Sequence, residues 1–483
     1  MNNKNNTSRI TFKTNHTALE AEFLEVVRLF STFSLQIYYH LQINSNKVVS
    51  DITVNEHQYR QEKEIEEGDP IEQKRLVKRF AKLALYEALS QETHKVLPWG
   101  ALTGIRPTKL AYQYIEQGAD FKQNFANLHV VPQNISLVEQ ILKIQKPYYQ
   151  NQKAMQKADL YISIPFCPTR CNYCSFITAP ISKTRQYLEK YLQILQLELQ
   201  HIEGLYNSLS SIYIGGGTPL ILDEEQLYSL LSNVKQFVTN GIEYTVEAGR
   251  PDVFTERKLE ILKEFAVNRI CVNPQSFSNQ TLENIGRAHT EKDILIAMEM
   301  TKKYNFICNC DLIAGLTGES YESFCESVDK AIALTPENIT VHTLSIKKGA
   351  ELQVKNAMLE DDCIDKKIEA VQHMLNYARK QLLKAGYAPY YMYRQKNIMA
   401  DGENIGWCKP NTACIYNIHM MEEIADTIAC GANAISKVIF EKKNRIERYG
   451  TPKDIPTYLA KIDKIIEEKR ALFGQKINNN LKN

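Results

Sequence analysis

A chain of 483 residues with a net charge of +2 and 24% charged residues gives no electrostatic case for a nucleic-acid or membrane-surface partner. No apolar run approaches the ~18 residues that cross a bilayer, and the opening MNNKNNTSRITFKTN lacks a signal peptide's apolar core, so a cytoplasmic protein is expected. In that compartment 11 cysteines argue for reduced thiols and metal ligation rather than disulfides, and the length allows about three domains of ~150 residues each.

Residues 1–155 contain no cysteine. The strand-like run SLQIYYHLQI from Ser34 and an amphipathic helix around Leu76, Phe80 and Leu83 predict a small accessory α+β domain. LPWGALTGIRPTKLAY, from Leu97, reads as a turn leading into a helix that carries Arg106 and Lys109.

From Tyr161 the chain alternates short β-like runs with longer helical ones, the pattern of a parallel strand–helix sheet. Strands are expected at LYISI, SIYIG from Ser211, YTVEA from Tyr244, RICVN from Arg269, FICNCDLI from Phe306 and ITVHTLSI from Ile339. The intervening helices fall near 182–205, 224–239, 256–265, 291–304 and 320–334. Six such repeats over 156–385 predict a partial (β/α)6 barrel, with chemistry at the carboxyl ends of its strands.

Two motifs sit at those ends. DLYISIPFCPTRCNYCSFI sets Cys167, Cys171 and Cys174 at a three-then-two spacing directly after the first strand. A four-iron cluster normally takes four thiolates, so a compact set of three leaves one iron open to another ligand. A structural zinc would want a fourth Cys or His, and the nearest downstream histidine is His201. Cys171 and Cys174 alone would also pass for a thioredoxin-like pair. IGGGTP, Ile214 to Pro219, follows the second strand, and its three glycines allow a ligand close to the main chain, where exposed amides and Thr218 could hold an amino acid's two ends. It lacks the lysine of a phosphate loop.

The remainder, 386–483, opens with the tyrosine-rich APYYMYRQKN, passes a polar loop and reaches ADTIACGANAISKVIF. It is expected to form a C-terminal α+β extension. The eight cysteines outside the motif are expected to be mostly small buried apolar residues.

The cysteine loop, GGGTP, the glutamate of TVEAGRPD, NPQSFSNQTLENIGRAHT and DLIAGL occur in the order seen in the oxygen-independent coproporphyrinogen oxidase family of radical S-adenosylmethionine (SAM) enzymes. The resemblance covers about Asp159 to Val438. LTGIRPTKL and YRQKNIMADGENIGWCKP look most like its HemZ-type coproporphyrinogen dehydrogenase subgroup, which also has an N-terminal extension of this size. The family's C-terminal signature reads close to GLGAGA, where this chain has ACGANA.

The resemblance implies a radical SAM barrel whose cofactors are a [4Fe–4S] cluster, held by Cys167, Cys171 and Cys174, and SAM. Tyr161, Gly216 and Glu247 would contact the SAM on the cluster, with Ile435 nearby. Tyr173, Gly217, Thr218, Gln275, Arg287, Asp311 and Ser345 match positions that line a second SAM site. Glu247, Arg287 and Asp311 are the candidate catalytic residues. The implied reaction is anaerobic oxidative decarboxylation of coproporphyrinogen III to protoporphyrinogen IX, two SAM per product, with an electron donor such as flavodoxin or ferredoxin. Relatives that carry heme, or that transfer methyl or alkyl groups to it, leave two alternatives. Arg170, Arg394, Lys396 and Arg106 are candidates for the tetrapyrrole's carboxylates, and Tyr390, Tyr391 and Tyr393 for its pyrrole faces.

Overall fold

The computed structural model describes residues 10–44, 47–65, 68–104, 106–174, 179–345, 361–395, 402–440 and 445–481. They form two compact units, Met1–Glu139 with Glu360–Lys366, and Gln140–Leu359 with Lys367–Asn483.

In the first unit, β1 (Ile10–Thr14), α1 (Glu20–Val27), β2 (Leu35–Ile43), β3 (Lys47–Val54) and β4 (His57–Glu64) precede α2 (Pro70–Thr93). The sheet runs β1-β2-β3-β4, with β1 parallel to β2 and the other pairs antiparallel. Period-2 alternation in β2 buries Leu35, Ile37, Tyr39 and Leu41 and leaves the intervening side chains exposed. The Asp69 carboxylate accepts the Glu72 amide and Pro70 takes the first helical position, so α2 begins where its sequence directs. The Tyr39 hydroxyl ties the sheet to that helix by donating to the Ala81 carbonyl (2.9 Å). The turn from Leu97 buries Trp99 and leads into α3 (Pro107–Glu116), followed by α4 (Phe121–Ala126); α5 (Pro132–Met155) belongs to the first unit up to Glu139 and to the second from Gln140.

The second unit then alternates β5 (Ala158–Ile164), α6 (Ile181–Gln200), β6 (Leu209–Gly216), α7 (Glu224–Val234), β7 (Glu243–Gly249), α8 (Glu256–Glu264) and β8 (Arg269–Gln275). It continues through α9 (Asn279–Asn284), α10 (Glu291–Lys303), β9 (Ile307–Ala314), α11 (Tyr321–Ala333), β10 (Asn338–Thr343), α12 (Asp361–Lys384), β11 (Ala388–Tyr393) and β12 (Asn404–Cys408). The chain closes with α13 (Ile415–Glu422), β13 (Asp426–Cys430), β14 (Ile435–Phe440), β15 (Arg445–Gly450), α14 (Ile455–Ala460) and α15 (Ile462–Leu481).

All six expected parallel strands are present, and the sheet order is β11-β12-β10-β9-β8-β7-β6-β5-β13-β14-β15. A seventh parallel strand, β13, lies beside β5 with Asp426 opposite Ala158 and Cys430 opposite Ile162. The C-terminal extension beyond residue 386 supplies strands at both edges of the barrel sheet. The β13 run TIAC is buried along its whole length, as an internal parallel strand requires.

Alternation along these strands sorts the chemistry. Leu160, Ile162, Ile212, Ile214, Val246 and Ile270 pack outward in the core beneath the helices. Tyr161, Glu247, Asn273, Asp311 and His342, from five different strands, line one cavity with the ends of β6 and β8. In a flat sheet β5 and β10 would be about 24 Å apart, so a cavity they share requires the sheet to curve. The opposite end of the barrel is plugged by α13. Its first amides, Ile415 and Tyr416, donate to the buried Glu243 carboxylate (both 2.9 Å), and Arg269 pairs with Glu243 at 3.3 Å.

Candidate active site

The segment after β5 carries Cys167, Cys171 and Cys174, half-buried, into a cavity of about 530 Å³. Its shape is set from three sides. The Asn172 amide donates to the Ile285 carbonyl (3.1 Å) and its side chain to the Asn284 carbonyl (3.0 Å). Arg287 donates to the Tyr173 hydroxyl (3.0 Å) and the Asn273 carbonyl, joining the loop to β8. Arg250, which donates two hydrogen bonds to the Asp252 carboxylate, also donates to Thr169 (2.5 Å).

The glycine loop behaves differently from the sequence expectation. Two of its amides do not face a ligand: Gly217 N–H is bound to the Ile164 carbonyl (2.9 Å) and Thr218 N–H to the Phe166 carbonyl (2.8 Å). The loop is thus a clasp on the cysteine segment, and Thr218 Oγ1 lies 3.6 Å from Cys167 Sγ. A Cβ on Gly217 would stand 2.5 Å from the Phe166 carbonyl oxygen, and Gly216 has φ of 104°. Gly217→Ala is expected to cost about 1–3 kcal/mol in displaced backbone and to lower cluster occupancy, read as iron per folded chain. Wild-type occupancy in the variant would contradict the clasp.

Glu247 is the unusual carboxylate. It accepts a 2.5 Å hydrogen bond from Tyr213, itself stacked against Tyr416 at 4.4 Å. Burial pushes its carboxyl up to about 7, with Asp311's negative charge adding to the rise. A cation bound beside it stabilises the ionised form, and that form is lost as pH falls through about 7. Cationic SAM should therefore bind more weakly by about tenfold per pH unit below about 7, and Glu247→Gln should flatten the profile. A flat wild-type profile in anaerobic titration would remove Glu247 from the pairing.

The remaining residues singled out from sequence line the same cavity: Tyr161, Tyr173, Gly216, Gly217, Thr218, Gln275, Arg287, Asp311, Ser345 and Ile435. Gln275 has φ of 71°, a strained conformation for a side-chain-bearing residue, and sits where β8 loses register. Buried polar atoms here lack protein partners: Asn273 Oδ1, Gln275 Oε1, Ser345 Oγ and Arg287 Nε. Such a wall suits a polar ligand that supplies the missing bonds. Three thiols on its rim fit a cluster whose irons each take one thiolate, and no set of three or more His, Cys, Asp or Glu closes around a single ion among the described residues.

The substrate-carboxylate candidates fare otherwise. Arg394 is buried, 5% exposed, and lies outside the cavity wall, whereas Arg170 is exposed and also outside it. Arg106 belongs to the first unit, and Lys396 lies outside the described residues. Of the tyrosines, Tyr393 reaches the cavity and contacts His342 Nδ1 (3.3 Å), while Tyr390 and Tyr391 pack in the core behind it. The lysine and arginine side chains on the described wall are Arg250 and Arg287. Sequence reasoning missed Arg250, Asn273, His342 and Asn433. All four lie in segments singled out from sequence: Arg250 in TVEAGRPD, Asn273 at the start of NPQSFS, His342 in ITVHTLSI and Asn433 in ACGANA.

This arrangement of three thiolates, a glycine clasp and a ring of strand-end polar residues defines a radical SAM protein, and residues 161–331 match the radical SAM superfamily model. Its cofactors are a [4Fe–4S] cluster and SAM. The chain belongs to the HemZ family: it is 36% identical over 408 residues to the oxygen-independent coproporphyrinogen-III oxidase-like protein HemZ of Bacillus subtilis, covering 81% of this chain and 79% of that protein. It is also 28% identical to a heme chaperone HemW of Buchnera aphidicola over 62% of this chain and 75% of that one. The fold matches that of the coproporphyrinogen III oxidase HemN of Escherichia coli, with a TM-score of 0.51, 20% identity, and coverage of 66% of this chain and 72% of that one.

Proposed function

We propose that the chain carries out anaerobic oxidative decarboxylation of coproporphyrinogen III to protoporphyrinogen IX, spending two SAM molecules per product. The observation that carries this reading is that every residue matching the oxidase pattern lines one 530 Å³ cavity. When bound, the cluster and SAM supply a 5'-deoxyadenosyl radical able to remove a hydrogen atom from a propionate β-carbon. A flavodoxin- or ferredoxin-type protein is proposed as the electron donor.

In this reading Cys167, Cys171 and Cys174 hold the cluster, and Tyr161, Gly216 and Glu247 contact the first SAM, with Ile435 beside it. Ionised Glu247 pairs with that ligand's cationic portion. Tyr173, Gly217, Thr218, Gln275, Arg287, Asp311 and Ser345 border the second site. Arg287 has a further task, because it fixes Tyr173 and hence the cysteine segment. With Arg394 withdrawn from the wall, Arg250 is the cation proposed for a propionate, while Tyr393 offers its ring face.

The likeness to heme chaperones favours a second reading, heme binding without decarboxylation. Coproporphyrinogen III deuterated at the propionate β-carbons separates the two. The oxidase reading expects deuterium in the 5'-deoxyadenosine formed, and unlabelled 5'-deoxyadenosine with intact substrate would overturn it.

A further inference from the structure

Behind the cavity wall lies a buried polar cluster that the reaction does not use. Lys469, on α15, places Nζ 2.5 Å from Glu198 Oε1 on α6, and their side chains are 2% and 1% exposed. The same Nζ lies 3.6 Å from Cys430 Sγ, at the end of β13, where the thiol is fully buried. The other Glu198 oxygen accepts the Gly431 amide (2.6 Å) and the Tyr458 hydroxyl (2.7 Å). Tyr191 completes the set, accepting the Ala432 amide (3.0 Å) and donating to the Ser163 carbonyl (2.7 Å). The segment these bonds hold leads within a few residues to Asn433 and Ile435 on the cavity wall.

We propose that Lys469 and Cys430 form an oxygen-sensitive modification site, in which dioxygen joins them through a covalent nitrogen–oxygen–sulfur bridge. The two heavy atoms are 3.6 Å apart, and a shift of the flexible lysine side chain brings them onto one bridging oxygen without moving β13 or α15. The balance is closed: ammonium, thiol and dioxygen give N–O–S, one water and one proton. Sulfur and nitrogen each lose two electrons, and dioxygen gains four as its O–O bond breaks. One oxygen atom remains in the bridge and the other leaves as water with two of the hydrogens. The adjacent Glu198 carboxylate is placed to take the released proton.

Bridging also removes the positive charge that Glu198 faces. Protonated in exchange, Glu198 loses the charge that strengthens the hydrogen bond it accepts from the Gly431 amide (2.6 Å). The bridge therefore loosens residues 431–435, and with them one wall of the SAM cavity, until a thiol reductant restores lysine and cysteine.

The test compares anaerobically purified full-length protein with the same protein exposed to air, alkylated and digested. The expected result is a pair of peptides joined through Cys430 and Lys469, heavier than their sum by about 14 Da, that dithiothreitol separates. Cys430→Ser, which keeps the residue's size, should give no such pair. Free Cys430 after air exposure, Cys430 carrying only its own oxygen atoms, or Cys430 joined elsewhere would each overturn the proposal. Air-exposed wild type and air-exposed Cys430→Ser lose their clusters alike, so amide exchange at 431–435 isolates the effect of the bridge. A rise of at least about tenfold in wild type is expected. Equal exchange in the two would overturn the coupling to the cavity.

Discussion

Alanine at any one of Cys167, Cys171 or Cys174 is expected to reduce iron from about four per chain to a small fraction and to abolish SAM cleavage. Each of these thiols lies on the cavity rim, and the braces from Asn172, Arg250 and Arg287 hold their segment in one shape. The contrast is with Cys308, Cys310, Cys408, Cys414 and Cys430, whose thiols burial holds well above their ordinary value. They stay protonated and off the cavity wall, so alanine at those five positions should leave iron content nearly unchanged in anaerobically purified protein. Iron lost on replacing one of the five would reveal a ligand outside the loop.

Glu247→Gln and Arg287→Ala are expected to fail in different ways. The amide of glutamine cannot ionise beside a cationic ligand, so all SAM cleavage should fall, by at least about a hundredfold if a charge-assisted bond of about 3 kcal/mol is lost. Arg287→Ala removes the donor to the Tyr173 hydroxyl and the Asn273 carbonyl and leaves those acceptors buried. Decarboxylation should fall further than SAM cleavage, leaving uncoupled 5'-deoxyadenosine, and iron content should drop modestly because the cysteine segment loses a brace. Both are read by chromatography of 5'-deoxyadenosine and porphyrin from one anaerobic reaction. Equal loss of both activities in the two variants would merge the proposed first and second SAM sites.

Much of this site was legible because parallel strands covered by helices carry strong local signals. Each strand alternates apolar residues for the helices with polar ones for the barrel interior, and on strands read in this way the family resemblance singled out Glu247 and Asp311. The cysteine spacing is equally local. What escaped is set by distant parts of the chain. Nothing in TIAC says that β13 will pair with β5, since that partner lies more than half the chain away. The GGGTP amides were read as ligand donors, yet the Ile164 and Phe166 carbonyls claim those of Gly217 and Thr218. Arg394 follows a tyrosine run that suggested the barrel mouth, but strand alternation sends Tyr393 to the cavity and leaves Arg394 off its wall. Gln275's positive φ is likewise invisible until the strand is seen to break register there.

The central claim, that this cavity decarboxylates a tetrapyrrole rather than merely holding one, is met most directly by product mass. Cluster-loaded protein is incubated anaerobically with coproporphyrinogen III, SAM, a reductant and an electron acceptor, and the porphyrins are oxidised and weighed. Loss of two carbon dioxide molecules and four hydrogens per substrate, with two 5'-deoxyadenosines formed, is the predicted result. Unchanged coproporphyrin, together with tight stoichiometric binding of heme, would contradict it.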